Sequence, residues 1–270
     1  MPDPLLDALA NGVRVFDLGR ELFSGMPQSP NHPKFQMVLQ RRHGDVMRPD
    51  GGSAASETLI TGGHVGTHID ALSHVSHHGK LYGGADATEA VVGGRFASHG
   101  IDTVAPFVCR GVLLDIPAVL DVDECEPAYE VTPDDLDAAA ELAGGAPGPG
   151  EVALIRTGWG RRWDDAEAYL GRSSGVPGPG EESAKWLAAT GVRAAGADTI
   201  AFEHLAPRAG HAVRPAHRVL LVENGIHIIE TLALEELAAA QIREFAFVLS
   251  PLKIVGGTGS PVRPLAVVSA

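Results

Sequence analysis

The chain has 270 residues and a formal charge of −13, with 44% hydrophobic and 20% charged residues. This composition is typical of a globular protein and excludes a largely disordered one. Because phosphate binding requires clustered Lys and Arg, the acidic balance argues against nucleic acid as a partner.

The start of the chain and its cysteines predict a cytoplasmic protein. The first residues lack the basic stretch and the long apolar core of a secretory signal. No segment approaches about 18 consecutive apolar residues, the length of a membrane-spanning helix. The two cysteines, Cys109 and Cys125, form neither a CxxC pair nor a disulfide framework, so a reducing compartment is expected. We therefore expect no membrane partner.

Strand-like runs, rich in β-branched and aliphatic residues, recur along the chain. They lie at Val13–Leu18, Gly111–Ile116, Glu151–Thr157, Thr199–Glu203, Val219–Val222, Ile226–Thr231, Phe245–Leu249 and Val262–Val268. The Gly/Pro-rich stretches at 144–150 and 175–180 are predicted loops, too short to be domain linkers. The pattern predicts one mixed α/β domain over residues 1–270.

Helix signals lie between these runs. Thr132 is a hydroxyl-bearing N-cap, and Pro133 occupies the first helical position. Together they predict a helix that starts there and ends before Gly144. Two further helices are expected, at Glu182–Thr190 and at Leu234–Ala240, because good helix formers fill these stretches.

The segment GGHVGTHIDALSH, which starts at Gly62, concentrates potential metal ligands. His64, His68 and Asp70 lie at positions i, i+4 and i+6, and His74 follows at i+10. Imidazole and carboxylate together suit Zn, Mn or Fe(II), and three protein ligands with open coordination positions are typical of a catalytic site. The sequence therefore predicts a divalent-metal site here, with His74 beside it as the proton-transfer group.

A straight strand cannot bring these ligands to one ion. At a rise of about 3.3 Å per residue, His64 and Asp70 would lie roughly 20 Å apart. Gly62, Gly63 and Gly66 give the backbone the freedom to bend, and they also make a helix unfavourable. We therefore predict that the segment folds back on itself.

Two residues further along the chain are weaker candidates for metal ligands. Glu230 ends the run Gly225–Glu230, where a carboxylate is costly to bury unless it is paired or metal-bound. His217 precedes the same region. From the residues alone, an ordinary surface position at the end of a strand stays open for both.

The other polar residues near these segments give less signal. His77 and His78 lie in His-His-Gly-Lys, which is typical of an exposed turn. Thr67 is expected to hold the loop by hydrogen bonds, because no Ser or Thr has an adjacent base in a nucleophile-elbow pattern. No role follows from the sequence for His204 and His227.

The segment HVGTHIDALSH, from His64, resembles the HxGTHxDxPxH signature of the cyclase family, which includes bacterial kynurenine formamidases and isatin hydrolases. The segments HRVLLVENGIHIIETLALEEL, from His217, and PLKIVGGTGSPVRPLAVV, from Pro251, resemble the C-terminal half of that family. The opening VRVFDLGRELFSGMPQSP resembles its start, so the likeness covers most of the chain. Leu72 stands where the signature has proline, so the turn before His74 is expected to differ in detail.

The resemblance implies an α/β domain with a swivelling β/β/α barrel, assembled as a homodimer or homotetramer. It implies one or two divalent ions, Mn²⁺ or Zn²⁺, and His74 as the catalytic acid/base. The implied metal ligands are His64, His68 and Asp70, with His217 and Glu230 completing a two-metal site as in some members.

We expect hydrolysis of a cyclic amide or formamide, a small-molecule substrate, through a metal-bound water. Phe23, Tyr82 and Trp159 are candidates for apolar contacts with the substrate, with packing in the core or at its rim as the alternative. A lyase or ring-closing enzyme of secondary metabolism, and a metal-binding protein without catalysis, stay open as other functions. Ring closure by amide formation is uphill in water for most substrates, and a metal buffer does not need His74, so hydrolysis is favoured.

Overall fold

The structure, a computed structural model, describes residues 4–210 and 213–270. Its strands are β1 (Val13–Asp17), β2 (Gln36–Arg41), β3 (Ser56–Ile60), β4 (His68–Asp70), β5 (Val91–Val92), β6 (Arg95–Phe96), β7 (Phe107–Asp115), β8 (Glu130–Val131), β9 (Val152–Arg156), β10 (Gly178–Pro179), β11 (Ala194–Ala197), β12 (His227–Glu230), β13 (Glu244–Leu249), β14 (Gly259–Pro261) and β15 (Leu265–Ser269). Its helices are α1 (Pro4–Ala10), α2 (Ile116–Leu120), α3 (Pro133–Leu142), α4 (Ala166–Leu170), α5 (Glu181–Thr190), α6 (Pro215–His217) and α7 (Glu235–Ala239). None of the described helices is long and apolar enough to cross a membrane.

A nine-stranded sheet, curled into a half-barrel, organises the described part of the chain. The strand order is β1-β15-β13-β7-β9-β11-β12-β4-β14. The central strands β7, β9, β11 and β12 run parallel, whereas the strands on either side of them pair antiparallel. The mixed α/β fold that the sequence predicts is confirmed.

The central strands of the sheet are buried on both faces, whereas β1 and β13 expose one face. Along β7, Val112 and Leu114 pack into one apolar cluster, with residues of α3 and α5, while Leu113 between them packs into a second cluster on the opposite face. This alternation is the period of two that a strand imposes on its side chains. Every residue of β9 and β11 is buried, as is typical of parallel strands covered on both sides.

The predicted helices are present with small shifts of their ends. The helix α3 begins after Thr132, whose hydroxyl accepts a hydrogen bond from the Asp135 backbone N–H, while the Asp135 carboxylate accepts one from the Thr132 N–H. This capping box satisfies two N–H groups that the helix itself leaves unpaired. The helix α5 ends at Gly191, which takes the left-handed conformation.

Two predicted strands are wrong. The segment Thr199–Glu203 forms turns, since Phe202 has a φ of 59° that no strand accommodates, and the strand β11 lies just before it. The segment Val219–Val222 belongs to a π-helical stretch at Arg218–Glu223. Val219, Leu220 and Leu221 are fully buried there, and a short apolar run does not distinguish a buried helix from a buried strand.

The hairpin formed by β2 and β3 was not predicted. All residues of both strands are exposed, including Met37, Val38, Leu39, Leu59 and Ile60, each of which is at least half exposed. Both faces of this two-stranded ribbon therefore present apolar side chains, an arrangement that is marginally stable at best in water.

Candidate metal centre

The His-rich segment folds back on itself at residues 63–67, as predicted. The bend brings Nδ1 of His64 to 2.7 Å from Oδ1 of Asp70, two groups that a straight strand would hold far apart. Gly66 has a φ of +66°, and a Cβ there would lie 2.4 Å from a methyl carbon of Leu22. Any other residue here would strain the backbone and displace the Leu22 side chain. Thr67 holds the bend by donating a hydrogen bond to the carbonyl of Thr231 at 2.6 Å.

Strand register brings the remaining ligand candidates to the same place. Glu230 on β12 lies directly opposite His68 on β4, so both side chains project from one face. Nε2 of His68 is 3.4 Å from Oε2 of Glu230. His217, at the end of α6, places its Nε2 3.2 Å from Oε1 of Glu230 and 3.8 Å from Oδ2 of Asp70. The structure thus brings together all five predicted metal ligands.

Two carboxylate oxygens in this cluster are buried and accept no hydrogen bond of good geometry: Oδ2 of Asp70 and Oε1 of Glu230, whose polar neighbour is Nε2 of His217 at 3.8 and 3.2 Å. The side chains of Asp70 and His217 are completely buried. Unsatisfied buried carboxylate oxygens are strongly unfavourable. A divalent cation between the two carboxylates would satisfy both oxygens, so the donor set fits a metal ion.

Hydrogen bonds at Nδ1 orient the imidazoles of His68 and His217. Nδ1 of His68 donates to the carbonyl of Gly66 at 2.8 Å, and Nδ1 of His217 donates to Oε1 of Glu203 at 2.5 Å. Because these acceptors can only accept, Nδ1 of each ring carries a proton, and in the neutral ring that binds a metal the lone pair would be on Nε2, which faces the carboxylates. A carboxylate or carbonyl behind the imidazole is typical of metal-ligating histidines. Arg214 lies 3.3 Å from Nε2 of His217 and contributes positive charge at this point.

The ligand atoms form two groups that share one carboxylate. Atoms of His64, Asp70 and His74 lie within 4.8 Å of one another, and so do atoms of His68, Asp70 and Glu230. Asp70 belongs to both. The residues present could therefore hold one ion or two, and with two ions His74 would be a potential ligand as well as a potential base.

Protons on histidine compensate the carboxylate charge in the absence of an ion. Burial alone would lower the pKa of His217, but Glu203 and Glu230 outweigh it and raise that pKa to about 9. Burial opposes ionisation of Asp70 and Glu230, yet the neighbouring histidines hold both carboxyl pKa values well below their usual range. Metal binding would displace these protons from the imidazoles.

His74 lies beside the cluster in a tight turn. Its backbone N–H donates to the carbonyl of Ala71 at 2.9 Å, so Leu72 occupies the second turn position, where proline is common. Leucine supports the same turn and packs against the core. The His74 ring stacks on His64 with centroids 3.8 Å apart. Burial lowers the pKa of His74 to about 3, so the imidazole is neutral and has a free lone pair.

The three predicted aromatic contacts lie in different surroundings. Trp159 is fully buried, and its indole N–H donates to the carbonyl of Tyr169 at 2.7 Å. Phe23 is 43% exposed and lines surface clefts, and Tyr82 is 38% exposed. No aromatic side chain other than histidine lines the pocket over the cluster in the described residues. Contact of these residues with a substrate stays a prediction.

Several residues that support the cluster were not identified by the sequence analysis. Glu203 orients His217, Oγ1 of Thr258 lies 2.9 Å from Nε2 of His64, and Nδ1 of His227 donates to the Asp70 carbonyl at 2.9 Å. His32 stacks on His64 with centroids 5.3 Å apart. The only available signal was an isolated acidic residue, Glu203, in an otherwise apolar run. His77 and His78 form an exposed turn, as predicted.

A model of the Cyclase family matches residues 16–204 of the chain. The chain belongs to the Cyclase family. It is 29% identical over 232 residues to the isatin hydrolase of Roseibium aggregatum, covering 81% of this chain and 77% of that protein. The match to the family model contains the His-rich motif and ends before His217 and Glu230, so the case for these two residues rests on the geometry of the site.

Solved structures agree with this assignment. Isatin hydrolase A from Ralstonia solanacearum has 29% identity and a TM-score of 0.74, with 99% of this chain and 98% of that chain covered. A crystal structure described as that of a novel cyclase has 27% identity and a TM-score of 0.86, with 98% and 93% covered. These likenesses and the His/Asp/Glu cluster support a metal-binding hydrolase of the Cyclase family.

Gly259→Ala is expected to weaken metal binding in this cyclase-family protein. A Cβ at residue 259 would lie 2.5 Å from Cε1 of His64, and the ring cannot retreat easily between His32 and His74. We expect a loss of metal affinity of about 10–100-fold, as for other changes that misplace a ligand. Competition with a chromophoric chelator measures it. Gly148→Ala, where the nearest atom is 3.7 Å away, should leave the affinity unchanged; equal affinities of both variants would contradict the prediction.

Glu203→Gln is expected to lower metal affinity by a similar factor, about 10–100-fold. The amide keeps the size of the side chain but loses the charge that holds Nδ1–H of His217. Equilibrium dialysis followed by metal analysis tests this, with Glu126→Gln on the surface as the control. If the metal affinity is unchanged and only the melting temperature falls, Glu203 stabilises the fold alone. It would do so by accepting hydrogen bonds from the backbone N–H groups of Ala216 and His217.

Proposed function

We propose that this protein is a metal-dependent hydrolase that cleaves a C–N bond of a cyclic amide or formamide. The observation that carries the proposal is the buried cluster in which Oδ2 of Asp70 and Oε1 of Glu230 lack a hydrogen bond of good geometry and Nε2 of His68 and of His217 faces the carboxylates. The amide class is supported by the isatin hydrolases among the similar proteins.

The five predicted ligands, His64, His68, Asp70, His217 and Glu230, would hold one or two ions, with Asp70 common to both groups of ligand atoms. A bound Mn²⁺ or Zn²⁺ supplies a Lewis acid that polarises the scissile carbonyl and lowers the pKa of a water molecule toward neutrality. Imidazole and carboxylate ligands suit both metals.

His74 would move the proton. Its neutral imidazole, next to His64, accepts the proton of the attacking water and returns it to the departing nitrogen, as a general base and then a general acid. Positioning matters as much as basicity here, because proton transfer requires hydrogen-bond distance. The turn closed by the Ala71 carbonyl and the stacking on His64 fix the ring in that place.

A substrate panel tests the reaction class. Isatin, an N-formylated arylamine, a cyclic imide and a lactone would be assayed in a pH-stat, each with Mn²⁺, with Zn²⁺ and with chelator. Every one of these hydrolyses releases acid near neutral pH, so one readout serves all. We expect metal-dependent acid release from an amide, whereas turnover of the lactone alone would contradict the C–N assignment.

We also propose that the protein is a homodimer or homotetramer in the cytoplasm, with the β2–β3 hairpin in the interface. Two exposed apolar faces on one ribbon require a cover in water. Leu39→Glu, on the hairpin, is therefore expected to give monomers by light scattering, whereas Val122→Glu, an exposed position elsewhere, should not. A monomeric parent protein would contradict the proposal.

A further inference from the structure

The pocket directly over the ligand cluster is very small. It is lined by His64, His74 and Glu230 of the cluster and by Gln28, Ser29 and His32. Its free volume is about 10 Å³, roughly the room for one water molecule. Only the reacting group of a substrate can enter this space, so the rest of the substrate must lie outside it.

A larger cleft adjoins this pocket and shares three of its residues. The cleft has a volume of about 540 Å³, and Gln28, Ser29 and His32 belong to both spaces. Volumes of this size are typical of small-molecule sites. The continuity identifies the cleft as the place for the part of the substrate that does not react.

The charge of the cleft is distinctive in this acidic chain. Lys34 and Arg172 line it, and none of its lining residues in the described ranges is Asp or Glu. The ion pairs found among the described residues do not involve either cation, although the chain carries a net charge of −13. The cleft walls otherwise combine hydroxyl and amide groups with the buried apolar side chains of Met26 and Phe35.

We propose that this cleft binds a carboxylate of the substrate through Lys34 and Arg172. The substrate would then be an amide that carries a carboxylate remote from the scissile C–N bond, with its apolar body against Met26 and Phe35. Arginine matches a carboxylate with two parallel hydrogen bonds, and lysine adds a point charge. This inference rests on the proposed hydrolase function and narrows its substrate class.

A matched pair of probes separates this claim from the reaction itself. The metal-loaded protein would be given 4-formamidobenzoate and the neutral 4-formamidobenzamide. If both are hydrolysed, kcat/KM is compared; if neither is hydrolysed, the amide-hydrolase assignment fails for them, and calorimetric Kd values still test the cleft. We expect the carboxylate to be favoured about tenfold or more, as for hydrogen bonds to charged groups.

Variants test whether Lys34 and Arg172 cause the preference for the carboxylate probe. Lys34→Gln combined with Arg172→Gln should bring the preference for the carboxylate to within about twofold. Lys253→Gln combined with Arg95→Gln removes the same charge from surface positions outside the cleft and should retain the preference. Equal binding of acid and amide by the parent protein would overturn the proposal. So would a preference that survives in the Lys34/Arg172 double variant, which would place the carboxylate at the metal ions.

Discussion

His74→Ala is expected to lower kcat by about 10²–10⁴-fold, the usual contribution of a general acid–base group. The ring is partly buried, neutral and stacked on His64, and it lines the pocket over the ligand cluster. Steady-state kinetics of the metal-loaded variant on the best substrate of the panel measure the loss.

Metal analysis of the same variant separates two roles for His74. A base leaves the metal content unchanged, whereas a ligand in the group of His64, Asp70 and His74 reduces it by one ion per chain. His78→Ala, in the exposed turn that follows the motif, is the control and should be fully active. An active His74→Ala enzyme would remove His74 from the mechanism.

Asp70→Asn is expected to abolish metal binding, because Asp70 is the carboxylate common to both groups of ligand atoms. The loss of affinity should exceed the roughly 10–100-fold effect of residues that only support ligands, and hydrolysis should be lost with it. Isothermal titration with Zn²⁺ or Mn²⁺ measures the affinity.

An equally buried carboxylate provides the control for this variant. Asp198 is fully buried, but it accepts hydrogen bonds from Thr157 and Gly158 and lies outside the cluster. Asp198→Asn should lower the free energy of unfolding by about 1–3 kcal/mol, since it leaves N–H or O–H groups poorly paired, without changing the metal affinity. The reverse pattern, a metal-binding Asp70→Asn protein, would contradict the assignment of Asp70.

Local chemistry made part of the fold and site predictable. The bend of the His-rich segment is predictable because the ligands of one ion must lie close together, whereas a straight strand would hold His64 and Asp70 far apart. In the structure, His64 contacts Asp70. The start of α3 follows from Thr132 and Pro133, which act within one turn. In both cases the residues that decide the structure are neighbours in sequence.

Features set by distant residues were not predictable in the same way. Glu203 reaches His217 across 14 residues, and Thr258 reaches His64 across 194, so no local pattern marks either contact. The register that places Glu230 opposite His68 depends on how β12 and β4 pair. From the sequence, the assignment of His217 and Glu230 as metal ligands is therefore ambiguous, and only the family resemblance favours it.

The segment Val219–Val222 illustrates a second limit. Its apolar residues are buried in a π-helical stretch, and burial on all sides removes the periodicity that separates helix from strand. The β2–β3 hairpin could not be predicted for the opposite reason. Its apolar residues lie on both exposed faces, so the sequence shows no alternation between a buried and an exposed side.

The most direct test of a metal-dependent hydrolase centred on Asp70 is removal and return of the ion during turnover. The protein would be stripped with a chelator, assayed in the pH-stat on the best amide of the panel, and titrated with Mn²⁺ or Zn²⁺. We predict that acid release stops in the metal-free protein and returns as the ion is added, saturating at one or two ions per chain. Equal turnover by the metal-free protein, or no amide hydrolysis by the fully loaded protein, would contradict the account.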